Sequence, residues 1–184
     1  MEGGSRARAR VSANAMDRPI TAAVLTASDR CAAGTAMDRS GPAVAEFLRS
    51  RLDCTIVAQS IVSDDAVLIE AFLREWSEGD DATDLAVVTG GTGLSPRDVT
   101  PEAAMRVITR PHPGLMELAR ARCGATNPRA YLSRAVAGAH RATLIISLPG
   151  SPAGAVETLE AVADILPHAV RMLRGDASAT AHRP

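Results

Sequence analysis

Lysine is missing altogether: all 20 basic residues are arginine, against 21 acids, for a formal charge of −1. Without lysine this chain can form no Schiff base and build no Walker A loop. Its balanced charge argues against nucleic acid or an anionic membrane as partner, since either would call for a basic field. Aromatics are also scarce, at 2% of residues, so the core must come from Ala, Val, Leu and Ile. Such a composition suits helices on a buried sheet better than a β-sandwich. The three cysteines, Cys31, Cys54 and Cys123, form no CxxC pair. An odd count without a secretory leader is what reduced thiols in a cytoplasm would show. His112, His140, His168 and His182 have no metal-ligand spacing, which argues against a structural zinc. No apolar run approaches the ~20 residues that span a bilayer.

The 184 residues are enough for one domain with its own core. Residues 1–18 are small, polar and Arg-rich and are expected to form a disordered extension; 176–184 are expected to be a flexible tail, leaving 19–175 as the folded domain. Within it, strand-like runs (Ile20 to Ala27, Thr55 to Val62, Leu85 to Thr89, Thr143 to Leu148) alternate with helix-like ones. The first helix is predicted from Ser40-Gly41-Pro42 to Leu52, with proline in its first turn. Ser63 or Asp64 is expected to cap the second, with Val67, Ala71, Phe72 and Trp76 at helical spacing. Thr100-Pro101-Glu102 reads as cap, first-turn proline and first-turn acid of a third. A further helix is expected through Leu115 to Arg122. Ser151 is expected to cap the last, which Pro167 kinks or breaks. The alternation predicts an α/β fold with a mostly parallel sheet covered by helices on both faces.

The most informative stretch is Thr89-Gly90-Gly91-Thr92-Gly93-Leu94-Ser95-Pro96-Arg97-Asp98-Val99-Thr100-Pro101-Glu102. It follows a strand that reads as buried on both faces, and open α/β sheets bind ligands at the carboxyl ends of their strands. Its glycines allow a sharp turn and close approach to a ligand, with amides free to hold phosphate. Asp98 precedes the helix start and can face the same space; a carboxylate beside a phosphate cradle usually needs a cation, most simply Mg²⁺. The order is not GxGxxG, so a dinucleotide fingerprint fits poorly. Other strand ends supply Ser28-Asp29, Asp38 to Pro42, Asp64-Asp65 and Pro149-Gly150-Ser151-Pro152. Each alone reads as a cap or turn; together they converge on one sheet edge, as a site requires.

These motifs, in this order, resemble the MogA/MoaB family of molybdenum cofactor biosynthesis, which includes the G domain of gephyrin. The blocks are Leu25 to Arg30, Val88 to Glu102, Leu132-Ser133-Arg134 with Ala137-Gly138, and Leu148 to Pro152. The resemblance implies a three-layer α/β/α fold and a homotrimer. It also implies an adenylyltransferase that joins AMP from Mg²⁺·ATP to the terminal phosphate of molybdopterin and releases pyrophosphate. Its partners would be these small molecules and a downstream molybdenum insertase. By the same resemblance Gly90, Gly91, Thr92 and Gly93 hold the nucleotide. Asp64 and Asp98 are the catalytic, metal-associated acids, and Ser28 and Asp29 line the site. Pro149, Gly150, Ser151, Ser133 and Arg134 hold the pterin and its phosphate. Two departures stand out: Ser63 replaces the usual proline and is followed by two acids, and Ser151 replaces an asparagine. The alternative is a MoaB-type paralogue that binds the pterin without turning it over; a nucleotide hydrolase on the same cradle is the other rival.

Overall fold

The computed structural model describes residues 18–176. The predicted extension and tail lie outside the described residues, apart from their inner ends. Those ends are anchored: Arg18 is paired with Asp84, and Asp176 is buried. In chain order the elements are β1 (Thr21–Ala27), α1 (Asp29–Ala32), α2 (Ser40–Leu52), β2 (Thr55–Val62), α3 (Ala66–Ser77), β3 (Leu85–Thr89) and α4 (Thr100–Val107). Then follow β4 (Arg110–Pro111), α5 (Pro113–Gly124), a short 3-10 helix (Pro128–Leu132), β5 (Ala137–His140), β6 (Thr143–Leu148), α6 (Pro152–Glu160) and α7 (Leu166–Leu173). One sheet runs in the order β2-β1-β3-β6-β5-β4. β2, β1, β3 and β6 are parallel, while β5 pairs antiparallel with both β6 and β4.

The three-layer α/β/α arrangement expected from the alternation is present, and its cause is visible in the strands. Successive side chains point to opposite faces. Ala22, Val24, Leu85, Val87, Leu144 and Ile146 therefore join one core cluster, and Ala23, Leu25, Ala86, Val88 and Ile145 the other. The first face is covered by α2, α5, α6 and α7 through Val44, Leu48, Leu115, Met116, Leu159 and Leu166. The second is covered by α3 and α4 through Ile69, Leu73, Trp76, Ala104 and Val107. Each fully buried Leu, Ile or Met contributes about 1.5–3 kcal/mol, so aliphatic side chains carry most of a core in which Trp76 is the one aromatic among the buried residues described.

Several local expectations are corrected. The cap of α3 is Asp65, not Ser63 or Asp64: its carboxylate accepts from Val67 N (2.8 Å) and Leu68 N (3.1 Å). The inward stripe of α3 is Ile69, Leu73 and Trp76; of the expected set Trp76 is buried as its spacing implies, whereas Val67 is 70% exposed and Phe72 is only partly buried against the core. Both sets have helical spacing, so the hydrophobic period alone could not choose between them. Thr100 is the first residue of α4 rather than its cap, and its amide donates to Gly91 O (3.1 Å). Pro167 marks a break, with α6 and α7 as separate helices. Short strands β4 and β5 lie on the antiparallel side of the sheet, where the sequence reading assigned no strand.

Candidate active site

At the carboxyl ends of β1, β3 and β6 the backbone is packed too tightly for side chains. Gly90 has φ 106°, and a Cβ there would lie 2.1 Å from Ala27 O. Its own Cα is 3.2 Å from where a Cβ of Gly150 would be. Thr89 Oγ1 donates to Pro149 O (2.7 Å) and Gly90 N to Leu148 O (3.1 Å), which ties the glycine turn to the Pro149-Gly150 turn. Gly91, at φ 58°, is next to Asp64: an added Cβ would sit 3.2 Å from Asp64 Oδ1 and 2.6 Å from Thr100 Oγ1. Only glycine accepts both the left-handed backbone and these approaches. Thr100 Oγ1 is fully buried and has no hydrogen-bond partner among the described residues.

The aspartates are placed by backbone amides rather than by chance on the surface. Asp29 N donates to Asp64 Oδ2 and Asp64 N donates to Asp29 Oδ1, both at 3.0 Å, a reciprocal pair joining the ends of β1 and β2. Asp98 Oδ2 accepts from Ser95 N (2.7 Å), fixing the acid within its own turn. In both Asp64 and Asp98 the second oxygen, Oδ1, makes no hydrogen bond among the described residues. Asp29 differs, because Arg97 reaches across the opening and grips its carboxylate at 2.7, 2.8 and 3.1 Å. That guanidinium, then the Asp64 amide, hold the Asp29 carboxyl below the usual range. Ser28 caps α1 by accepting from Cys31 N (3.3 Å). Asp38 accepts from Thr26 Oγ1, Ser40 N and Gly41 N, so it serves as the start of α2. Of the two adjacent acids Asp64 and Asp65, Asp64 lines the cavity and Asp65 caps a helix.

Two cavities open here, side by side. One, of about 660 Å³, is lined by Ser28, Asp29, Asp38, Asp64 and Gly90. The other, of about 440 Å³, lies between α5, the 3-10 helix and α6, with Met116, Ala119, Ala135, Thr92 and Ser133 on its walls. Gly91, Asp98, Gly150 and Ser151 line both cavities and form the wall between them. Ser151 caps α6 by accepting from Gly154 N (3.2 Å), so the amino end of that helix lies at the shared wall, where it favours anions.

Arg134 is not among the residues lining either cavity. Its Nε donates to Gly93 O (2.7 Å), an Nη donates to Asp98 O (2.6 Å), and the other Nη pairs with Glu102. The side chain thus spans the segment from Gly93 to Asp98 and ties both carbonyls to Glu102 of α4. Ser133, by contrast, lines the smaller cavity, near Thr92 Oγ1 (3.5 Å). The Arg97–Asp29 pair and the Arg134 staple were missed in the sequence. Nothing local announces either, since the partners are 68 and 32 to 41 residues apart.

Comparison with known proteins identifies the family. Residues 23–168 match the family model described as "Probable molybdopterin binding domain". The molybdopterin adenylyltransferase of Helicobacter pylori strain J99 is 41% identical over 154 residues, covering 83% of this chain and 87% of that protein. The molybdenum cofactor synthesis protein cinnamon of Drosophila melanogaster is 35% identical over 159 residues; the match covers 86% of this chain but 26% of that longer protein. Among solved structures, the molybdopterin biosynthesis enzyme MoaB of Thermus thermophilus superposes with a TM-score of 0.80 at 41% identity, covering 85% of this chain and 98% of the other. By the family model, the relatives and the solved structures together, the chain belongs to the molybdopterin-binding family of molybdenum cofactor biosynthesis, the MogA/MoaB group.

Proposed function

We propose that this chain is a molybdopterin adenylyltransferase, transferring AMP from ATP to the terminal phosphate of molybdopterin. The observation that carries the reading is the pair of cavities meeting at Gly91, Asp98, Gly150 and Ser151. Two substrates can lie in separate chambers with their phosphates against one wall. The acid-lined chamber takes the triphosphate with its counter-ion, and the chamber lined by Ser133 takes the pterin. A pterin-side phosphate oxygen attacks the α-phosphorus in line, the bond to the β-phosphate oxygen breaks, and pyrophosphate leaves. The chain's part is to position two anions that otherwise repel, with the glycine turn and the α6 amino end at the wall between them.

The donor set fits Mg²⁺ brought in by ATP. Among the described residues no group of three or more His, Cys, Asp or Glu could cage a metal. Mg²⁺ is typically held by one or two carboxylates plus substrate phosphates, and Asp64 and Asp98 each keep a free oxygen for that purpose. When bound, the ion would supply charge neutralisation. A homotrimer completes the reading; its support is the family resemblance, and sedimentation of the purified chain at the mass of one protomer would contradict it. No helix among the described residues is long and apolar enough to cross a membrane.

The test is a reconstitution with purified protein, Mg·ATP and freshly released molybdopterin. Adenylyl-molybdopterin and pyrophosphate are expected in equal amounts. Molybdopterin binding without product would instead make the chain a binding paralogue. Pyrophosphate released without any pterin would make it a hydrolase.

A further inference from the structure

Away from the shared wall, the polar groups of the smaller cavity are nearly all committed to the fold. Arg120 donates to Ala135 O (3.0 Å) and Ser133 O (3.4 Å), and Thr158 Oγ1 donates to Gly154 O (2.6 Å). The Asn127 side-chain oxygen accepts from Arg129 N (3.2 Å), capping the 3-10 helix. Two charged side chains on the walls make no hydrogen bond or ion pair among the described residues: Glu157 on α6 and Arg129 on the 3-10 helix. Glu157 lies six residues after Ser151 on the helix that begins at the shared wall. At 1.5 Å per residue that is roughly 9 Å along the axis, at the far end of the chamber from the reacting phosphates. Cys123 lines the same cavity from α5 and its Sγ donates to the Glu157 backbone carbonyl (3.5 Å), so α5 and α6 meet beside Glu157 and close this end of the chamber.

We infer that Glu157 reads the pyrimidine edge of the pterin, accepting two parallel hydrogen bonds from its ring N–H and 2-amino group. This rests on the reading of the chain as a molybdopterin-binding enzyme and adds the residue that selects the ring. That edge presents two adjacent donors, and an ionised carboxylate is an acceptor-only group of matching fork geometry. Arg129 can only donate, so it cannot serve the same edge; it suits the ring carbonyl. Apart from Asp98 at the reacting end, Glu157 is the one carboxylate lining the chamber among the described residues. A ring with 2-oxo in place of 2-amino, as in a lumazine, would set an oxygen against the carboxylate and be rejected, since specificity follows from a mispaired polar group.

The experiment compares wild type with Glu157→Gln, titrating molybdopterin by its fluorescence and competing with a pterin and the matching lumazine. Wild type is expected to prefer the pterin. The variant should bind molybdopterin roughly 10- to 100-fold more weakly, the range for a charge-assisted hydrogen bond, and should lose the preference between the two rings. KM for ATP should stay unchanged, which separates ring recognition from general damage. An unaltered pterin-over-lumazine preference in Glu157→Gln overturns the inference while leaving the adenylyltransferase reading intact. Failure of wild type to bind molybdopterin at all overturns both.

Discussion

At the amino end of the sheet Asp84 is 3% exposed and both of its oxygens are saturated. Arg18 and Arg174 each bind it through two nitrogens, at 2.8 to 2.9 Å, and the Thr21 amide and hydroxyl add two bonds at 2.8 Å. At the carboxyl end Asp64 and Asp98 are half-buried, and each is fixed by one amide with one oxygen left over. Both regions spend aspartates, but to opposite purposes. A carboxylate with every lone pair engaged tightens the fold and cannot take a ligand. One held by a single amide has a set direction and still has capacity for a cation or a phosphate's counter-ion. Asp29 lies between the extremes, near the site yet neutralised by Arg97.

Breaking the saturated end should give the largest effect. Asp84→Ala leaves Arg174, whose side chain is 9% exposed, as a buried charge without its partner, and is expected to cost about 3–5 kcal/mol of stability. Chemical denaturation measures this; a loss under ~1 kcal/mol, the range of an exposed pair, would mean the knot is ornamental. Turnover per folded molecule should remain that of wild type.

Arg134→Ala tests whether the glycine turn needs its staple. Releasing Gly93 O and Asp98 O lets the turn drift, and a shift of about 1 Å in a positioning element can cost on the order of 10² in rate. Arg134→Lys should rescue little, because one ammonium cannot span both carbonyls and Glu102. If the arginine bound substrate phosphate instead, the variants would raise KM and leave saturated turnover intact.

The acid limb of stability sharpens the contrast further. Burial pushes the Asp84 carboxyl up, but Arg174 and the Thr21 donors outweigh it and hold it down at about 2, against an ordinary 3.8. A depressed folded value means the stabilisation is present above the unfolded pKa and is lost as pH falls toward the folded one. The loss should therefore fall between about pH 4 and pH 2 and amount to on the order of 2 kcal/mol. In Asp84→Asn that part of the pH–stability curve should flatten.

The smallest effect separates two neighbours. Asp65→Ala removes a helix cap and should lower stability by about 1 kcal/mol without touching turnover. Asp64→Ala should do the reverse, and equal behaviour of the pair would erase the distinction drawn from their hydrogen bonds.

Much of this was legible in the sequence because the signals are local. Apolar runs bounded by turn residues marked β1, β3 and β6, and the spacing of glycines around Arg97-Asp98 marked the ligand edge. What the sequence hid is relational. The choice between Asp64 and Asp65 depended on which carboxylate the α3 amides captured. The inward face of α3 depended on which of two equally periodic stripes met α4 and the sheet. The role of Arg134 depended on carbonyls more than 30 residues away. β4 and β5 went unassigned because two and four residues carry too little pattern to be read as strands.

The most direct test of the account measures adenylyl-molybdopterin formation by wild type, Asp98→Ala and Asp84→Ala at a temperature where all three are folded. Asp98→Ala is expected to lose on the order of 10² or more in turnover, comparable with losing one electrostatic stabiliser, with its melting temperature nearly unchanged. Asp84→Ala is expected to show the opposite pattern. Near-normal turnover in Asp98→Ala would contradict the claim that the half-free acids, Asp98 at the shared wall and Asp64 in the larger cavity, carry the chemistry.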